Sequence, residues 1–139
     1  MNPTSDLRVD SIRPLISPAI LLEEIPITDA AAATVERARA DVSDALAGRD
    51  DRLVLVVGPC SIHDTGAAME YAHLLKAEAA RYADDLIVVM RVYFEKPRTT
   101  VGWKGLINDP NLDGSFQINQ GLRTARGLLR QLTEEGVPC

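Results

Sequence analysis

Two uninterrupted apolar runs constrain the fold of this 139-residue chain more than any other feature. Leu53–Val57 and Leu86–Met90 each contain five apolar residues in succession, without the polar alternation of a half-exposed strand. Such runs are typical of strands buried on both faces, as in a parallel sheet. Between them, Asp64 can cap a helix, and its apolar face comprises Ala68, Tyr71, Ala72, Leu75 and Ala79. The order strand, helix, strand predicts a βαβ unit and therefore an α/β fold.

Residues 1–50 are predicted to form an extension packed beside this unit. Ala19–Leu22 is predicted as an edge strand, and Thr28 as the N-cap of a helix that Gly48 ends. The inner face of that helix is predicted to comprise Val35, Ala38, Val42, Ala45 and Leu46, which recur at steps of three and four.

After the second apolar run, a polar loop is predicted from Glu95 to about Gly114, followed by a helix from about Ser115 to Glu135. Gly136 is expected to end that helix, and Val137-Pro138 to lead into another strand. The inner face is predicted to comprise Phe116, Leu122, Ala125, Leu129 and Leu132. Two fully apolar parallel strands need neighbours on their open edges. We therefore expect the chain to be a fragment that is cut at its C-terminal side.

Composition and charge exclude several classes of protein. The chain is 46% hydrophobic, but it has no apolar run near the ~18 residues that cross a bilayer, and its start lacks a secretory signal, so we expect a cytoplasmic protein. Its two cysteines form no disulfide framework or zinc-type spacing. A net charge of −5 argues against binding to nucleic acid or anionic lipid. The stretch Leu86–Ile107 nevertheless carries a net charge of +3, which suits a small anionic ligand.

Cys60 lies just beyond the carboxyl end of the first strand, where α/β enzymes place functional groups. It could be a nucleophile, a metal ligand or a small buried side chain. His63, three residues later, raises the alternative of a Cys-x-x-His metal pair. The spacing alone leaves these alternatives open.

A cationic group of residues follows the second strand. Arg91 comes directly after that strand, and Lys96, Arg98 and Thr99 follow on the loop, with Pro97 restricting the backbone between the two cations. Guanidinium, ammonium and hydroxyl groups suit phosphate and carboxylate ligands. A solvated charged loop is the alternative, but the strand-end position of Arg91 favours an anion site.

The glycines around Trp103 are consistent with a lid over a ligand or with an anchor that fixes the loop on the core. No nucleotide-binding or nucleophile-elbow motif is present.

Longer segments resemble a known family. Gly58–Ser61, Lys96–Thr99 and the whole stretch Arg91–Pro110 are similar to type I 3-deoxy-D-arabino-heptulosonate 7-phosphate (DAHP) synthases. The resemblance implies a TIM barrel. The chain would then hold an N-terminal extension with one helix (residues 1–50), involved in oligomer contacts and regulation, and an incomplete (β/α)8 barrel with its first two strands and their helices (residues 51–139).

The resemblance also implies residue roles. Cys60 would be a ligand of a divalent metal ion (Mn, Fe, Co or Zn), and His63 would not be one. Arg91 and Lys96 would hold phosphoenolpyruvate, with Lys96 also assisting proton movement. Pro97, Arg98 and Thr99 would contact erythrose 4-phosphate.

The implied reaction is the first step of the shikimate pathway, which leads to the aromatic amino acids. It is an aldol-type condensation in which the metal polarises the aldehyde, and phosphate is released. An aromatic amino acid effector and a homo-oligomer are implied for the full-length enzyme. The other metal ligands are absent from this sequence, so we expect the isolated chain to be inactive.

Two alternatives are an enzyme like KDO 8-phosphate synthase, which uses arabinose 5-phosphate, and a non-catalytic truncated product. The Lys96–Thr99 segment favours the DAHP enzymes over the former.

Overall fold

The two apolar runs form a parallel pair of strands. In the computed structural model, which describes residues 9, 11–96 and 102–139, strand β1 (Leu53–Val57) pairs with strand β2 (Leu86–Met90). The register places Leu53 opposite Leu86 and Val57 opposite Met90. The helix between them completes the predicted βαβ unit, so the predicted α/β class is confirmed.

Helices flank this pair along the chain. They are α1 (Pro18–Glu24), α2 (Asp29–Leu46), α3 (Thr65–Arg81) and α4 (Ile118–Glu134). None of the helices within the described ranges combines the length and apolar character needed to cross a membrane.

β1 is much more exposed than its composition predicts. Leu53 is 71% exposed and Val56 is 59% exposed, whereas Ile87 and Met90 of β2 are buried. In the described part of the chain β1 has β2 as its single strand neighbour, so one edge and much of its surface lie open. The prediction that β1 is buried on both faces is therefore wrong for this chain.

The edge strand predicted at Ala19–Leu22 is also wrong, because these residues belong to α1, so the extension contains two helices where one was predicted. The Ser17 hydroxyl accepts a hydrogen bond from the Ile20 amide at 3.3 Å, which caps the helix. Pro18 occupies the first turn, where its fixed φ suits a helix and its missing N–H costs nothing. The signals at Ser17 and Pro18 therefore favour a helix, although the β-branched residue Ile20 favours a strand.

The helix predicted after Thr28 is present as α2. The Thr28 hydroxyl accepts from the Ala31 amide at 3.3 Å, and Gly48 has a φ of 70° just past the helix end. The predicted inner face is only partly correct, since the buried residues of α2 are Ala31 and Thr34, and Leu46 is 82% exposed. Val35, Ala38 and Val42 instead line a cavity of about 900 Å³ between α2 and α4.

α3 agrees with its prediction more closely. The Asp64 carboxylate accepts from the Ala67 amide at 3.1 Å, which confirms the predicted cap. Ala68 and Ala72 are buried and Leu75 packs against the core, but Tyr71 is exposed, contrary to the predicted face.

α4 begins three residues later than predicted. Phe116 has a φ of 50° and is 56% exposed, so it precedes the helix and does not belong to its inner face. Leu129 is also exposed, at 38%. Ala125 and Leu132 are buried as predicted, together with Leu128, and Gly136 follows the helix with a φ of 80°.

The core lies between α3, β2, α4 and the loop before α4. Its buried members are Ile62, Ala68, Ala72, Met90, Leu106, Leu128, Leu132 and Val137. Past α4 the backbone returns beside β2, where the Met90 amide donates to the Pro138 carbonyl at 2.8 Å. A further strand at Val137-Pro138 stays a prediction.

One side of α4 holds the N-terminal extension. The Asn119 side chain accepts from the Ile16 amide at 2.9 Å and donates to the Pro14 carbonyl at 3.0 Å. One turn further along, Arg123 donates to both carboxylate oxygens of Glu24, at 2.7 and 3.0 Å. Arg126 donates to the Ile25 carbonyl at 2.7 Å. Residues 14–25 are therefore attached to α4 by side chains spaced three or four residues apart.

Candidate functional site

The carboxyl ends of β1 and β2 meet at a close backbone contact. The Arg91 amide donates to the Val57 carbonyl at 2.7 Å, which extends the parallel ladder by one bond. A Cβ atom on Gly58 would lie 2.5 Å from the Arg91 carbonyl oxygen and 3.0 Å from its amide nitrogen. The contact therefore requires glycine at position 58, and it places the residues after each strand side by side.

Arg91 folds back over the loop that follows β1. Its Nε atom donates to the Pro59 carbonyl at 3.0 Å and its Nη2 atom to the Gly58 carbonyl at 2.9 Å. The guanidinium carbon also lies 5.5 Å from the centre of the Tyr93 ring, a cation–π contact. The guanidinium is thus held by the carbonyls of Gly58 and Pro59, the two residues that precede Cys60.

Lys96 contacts the residue that follows Pro59. Its Nζ atom donates a hydrogen bond to the Cys60 sulfur. Cys60 is exposed, so it is not the small buried side chain that was one of the three alternatives. The Cys60 sulfur and the Lys96 ammonium therefore contact each other at the carboxyl ends of the two strands, and the Arg91 guanidinium binds the two carbonyls that immediately precede Cys60.

The predicted site residues are only partly described. Cys60, Arg91 and Lys96 are brought together, whereas Pro97, Arg98 and Thr99 lie outside the described residues. His63 is exposed on the turn into α3. The roles of all these residues stay predictions.

Glu95 has a structural role that the sequence analysis did not predict. Its Oε1 atom accepts hydrogen bonds from the amides of Ile107 and Asn108, both at 2.9 Å, and its Oε2 atom accepts from the Asn108 side-chain amide at 2.7 Å. In the sequence Glu95 is the one acid within the basic stretch Leu86–Ile107, and this pattern indicates charge but no hydrogen-bond partner. Within the described residues, the three hydrogen-bond donors to Glu95 are neutral amides, and the Lys96 ammonium is not among them.

Trp103 anchors the loop. Its indole N–H donates to the Asp109 carbonyl at 2.8 Å, and its ring packs against the buried core. This arrangement favours the anchor over the lid.

The described residues do not fit a metal site by themselves. Within residues 9, 11–96 and 102–139, no group of three or more His, Cys, Asp or Glu side chains could hold a metal ion. Cys60 supplies one donor, whereas a defined divalent site needs several.

A family model decides the affiliation. The model described as the DAHP synthetase I family matches residues 24–138. The chain belongs to this family. The DAHP synthetase I match thus includes α2, both strands, α3 and α4.

Individual relatives agree with the family model. The phospho-2-dehydro-3-deoxyheptonate aldolase of Amycolatopsis methanolica is 57% identical over 94% of this chain and 64% of its own length. The Phe-sensitive aldolase of that name from Escherichia coli (strain K12) is 58% identical over 96% of this chain and 38% of its own length. A solved structure of the Francisella tularensis SCHU S4 aldolase superposes with a TM-score of 0.90 at 50% identity. That match covers 94% of this chain and 38% of the solved one.

The chain thus spans less than two thirds of the length of these DAHP synthetase I relatives, 64% in one and 38% in the other two.

Proposed function

We propose that the full-length protein, meaning a polypeptide with this chain and the remaining length of its relatives, is a DAHP synthase. It would condense phosphoenolpyruvate with erythrose 4-phosphate and release phosphate. The observation that carries this proposal is the convergence of Cys60, Arg91 and Lys96 at the carboxyl ends of β1 and β2. Family membership and the names of the relatives support it.

Arg91 would bind phosphoenolpyruvate through its phosphate or carboxylate. Two of its five N–H groups donate to the carbonyls of Gly58 and Pro59, which fix the plane of the guanidinium. A fixed guanidinium loses little conformational freedom when it binds a bidentate anion, and it suits phosphate geometry. Tyr93 shields one side of the group.

Lys96 would place a second positive charge on the same substrate. Two cations that face a phosphate and a carboxylate lower the repulsion between the anions and stabilise charge that develops during the reaction. Lys96 is also the candidate for moving a proton, because an ammonium can donate one. Pro97, Arg98 and Thr99 would contact erythrose 4-phosphate.

Cys60 would be one ligand of a divalent metal ion such as Mn, Fe, Co or Zn. The described residues offer no complete donor set, so the remaining ligands would belong to the rest of the full-length protein. We therefore derive no reaction step through a metal. The isolated 139-residue chain should be inactive.

The fold proposal is that residues 51–139 form the first two strands and helices of a TIM barrel. The open surface of β1 supports it, since further barrel strands would cover that surface. Residues 1–50 would form the extension that contributes to a homo-oligomer. They would also contribute to inhibition by an aromatic amino acid, in line with the Phe-sensitive relative.

The test is an assay of phosphate release by the full-length protein with phosphoenolpyruvate, a manganese salt and each of two sugars. Turnover with erythrose 4-phosphate but not with arabinose 5-phosphate is expected. Preference for arabinose 5-phosphate would indicate a KDO 8-phosphate synthase, an alternative that the comparisons do not support. Turnover by the isolated chain would contradict its expected inactivity.

A further inference from the structure

We propose that Glu95 is a positioning residue that holds Lys96 against Cys60. This inference rests on the proposed function for its catalytic consequence, but its geometric part can be tested without any activity. Glu95 itself is not assigned to contact a substrate. Its carboxylate binds Ile107 and Asn108, which follow the segment that pairs with residues 94–96.

The residues before and at Lys96 pair with a second segment in antiparallel fashion. The Leu106 amide donates to the Phe94 carbonyl at 2.8 Å, and the Lys96 amide donates to the Lys104 carbonyl at 3.0 Å. Glu95 and Gly105 form the bridge between these two bonds. The backbone of Lys96 is thus fixed to residues 104–106.

The Glu95 side chain stabilises this pairing. Its side chain lies over Gly105, where an added Cβ would come within 2.8 Å of the Glu95 carboxyl carbon and would overlap the Phe94 carbonyl oxygen. From there the carboxylate reaches the amides of Ile107 and Asn108 and the Asn108 side chain. A carboxylate that accepts three N–H groups makes strong hydrogen bonds and needs no cation.

The segment that Glu95 binds is itself packed tightly, at Leu106 and Ile107. Leu106 is 2% exposed within the core. Gly121 of α4 packs so closely that an added Cβ would lie 2.6 Å from the Ile107 Cα atom and from the Leu106 carbonyl oxygen. Lys96 is therefore connected to the core and to α4 through Glu95, and its ammonium is directed to Cys60.

The pattern of donors allows a double substitution that exchanges the acceptor at position 95 with the donor at position 108. This swap variant distinguishes a positioning role of Glu95 from the effect of losing its side chain. Glu95→Gln keeps one acceptor oxygen for the two backbone amides but turns an NH2 group toward the Asn108 NH2 group. Adding Asn108→Asp restores a donor–acceptor pair with the direction reversed. Glu95→Ala removes all three bonds.

The geometric test uses o-phthalaldehyde on the full-length protein after a chelator has removed any metal bound to Cys60, because this dialdehyde joins a neighbouring amine and free thiol into a fluorescent isoindole. The wild type should give isoindole fluorescence that maps to Lys96 and Cys60 by peptide mass spectrometry, and Lys96→Arg should abolish it. Glu95→Ala should lower the yield at least severalfold, and Glu95→Gln/Asn108→Asp should recover most of it. An unchanged yield in Glu95→Ala would overturn the proposal.

The catalytic test uses the same variants in the synthase assay. Displacing a catalytic group by about 1 Å can cost on the order of a hundredfold, so Glu95→Ala should lower kcat/KM by about tenfold to a hundredfold. The swap variant should recover most of the loss. Glu134→Ala is the matched control, because Glu134 is a half-buried acid that accepts from Arg130 at 3.0 Å in the last turn of α4, and its kcat should be unchanged.

The outcomes distinguish the two proposals. A wild type that forms the isoindole but has no synthase activity would refute the proposed function, and a severalfold lower isoindole yield in Glu95→Ala would then still support the positioning role. An active wild type whose Glu95→Ala variant keeps full kcat/KM would refute the positioning role alone. A loss that the swap does not restore, and that follows a lowered Tm, would show that Glu95 merely stabilises the fold.

Discussion

The ammonium group of Lys96 donates a hydrogen bond to the sulfur of Cys60, although thirty-six positions separate them in the sequence. The contact exists because β1 and β2 are parallel neighbours, so the segments that follow them leave the sheet at the same edge. Arg91, which follows β2, donates hydrogen bonds to the carbonyls of Gly58 and Pro59, which follow β1. Three chemically different side chains are thereby assembled within a two-stranded unit.

Arg91→Lys should impair substrate binding in the full-length protein. Lysine cannot make two parallel bonds to the Gly58 and Pro59 carbonyls or present a planar fork to an anion. We expect KM for phosphoenolpyruvate to rise by about tenfold or more, given the strength of charge-assisted bidentate contacts. Arg81→Lys is the control, because Arg81 pairs with Glu78 on the exposed face of α3. Equal KM values for Arg91→Lys and the control would contradict the assignment.

A pair of glycine substitutions in α4 should have opposite effects on stability. A Cβ at Gly121 would overlap the Ile107 carbonyl oxygen, whereas nothing lies within 4 Å of a Cβ at Gly127. Gly121→Ala should destabilise by about 1–3 kcal/mol, the usual cost of overpacking. Gly127→Ala should stabilise by about 0.5–1 kcal/mol through helix propensity. Urea denaturation of the full-length protein measures both, and destabilisation of similar size in the two variants would contradict the close packing of α4 on residues 106–107.

The sequence predicted local features well where the signal was local. The caps at Thr28 and Asp64, the βαβ order and the position of Arg91 are all readable from short patterns. The hydrogen bonds between Glu95 and residues 107–108 could not be predicted from the sequence, because they depend on how a loop folds against the core. No periodic pattern reports such a contact.

The errors have physical reasons as well. An apolar run predicts a buried strand. The burial of β1, however, depends on neighbouring strands and helices that the described residues do not supply. Leu129 follows a helical period but faces the cavity between α2 and α4. Phe116 is predicted to lie in the third helix, but α4 begins only at Ile118. The φ of 50° at Phe116 is incompatible with a helix.

The attachment of the N-terminal extension should depend on pH through Glu24. Hydrogen bonds and the charge of Arg123 lower the pKa of Glu24 from its usual 4.5. Because the folded-state pKa is depressed, the stabilisation from this pair is complete above pH 4.5 and is lost as the pH falls through the lowered folded value. Glu24→Gln should therefore reduce stability at about pH 7, and the reduction should be smaller at about pH 2.5. Chemical denaturation at the two pH values checks this, and an equal difference at both would refute the ion pair.

The isolated 139-residue chain should self-associate. β1 presents Leu53, Val54, Leu55 and Val56 at exposures of 37–71%, beside an open strand edge. Exposed apolar strand edges are templates for pairing with another chain. Light scattering after size exclusion should show species larger than a monomer, and Val56→Lys should reduce them. A monomer that binds no hydrophobic dye would contradict this expectation.

The most direct measurement for the shared site compares two variants of the full-length protein, Cys60→Ala and Lys96→Ala, by calorimetric binding of phosphoenolpyruvate and by turnover. We predict that both lose turnover, but that Cys60→Ala keeps binding phosphoenolpyruvate because Arg91 and Lys96 remain, whereas Lys96→Ala binds it at least tenfold more weakly. Wild-type turnover in both variants would contradict the claim that these residues form one substrate site.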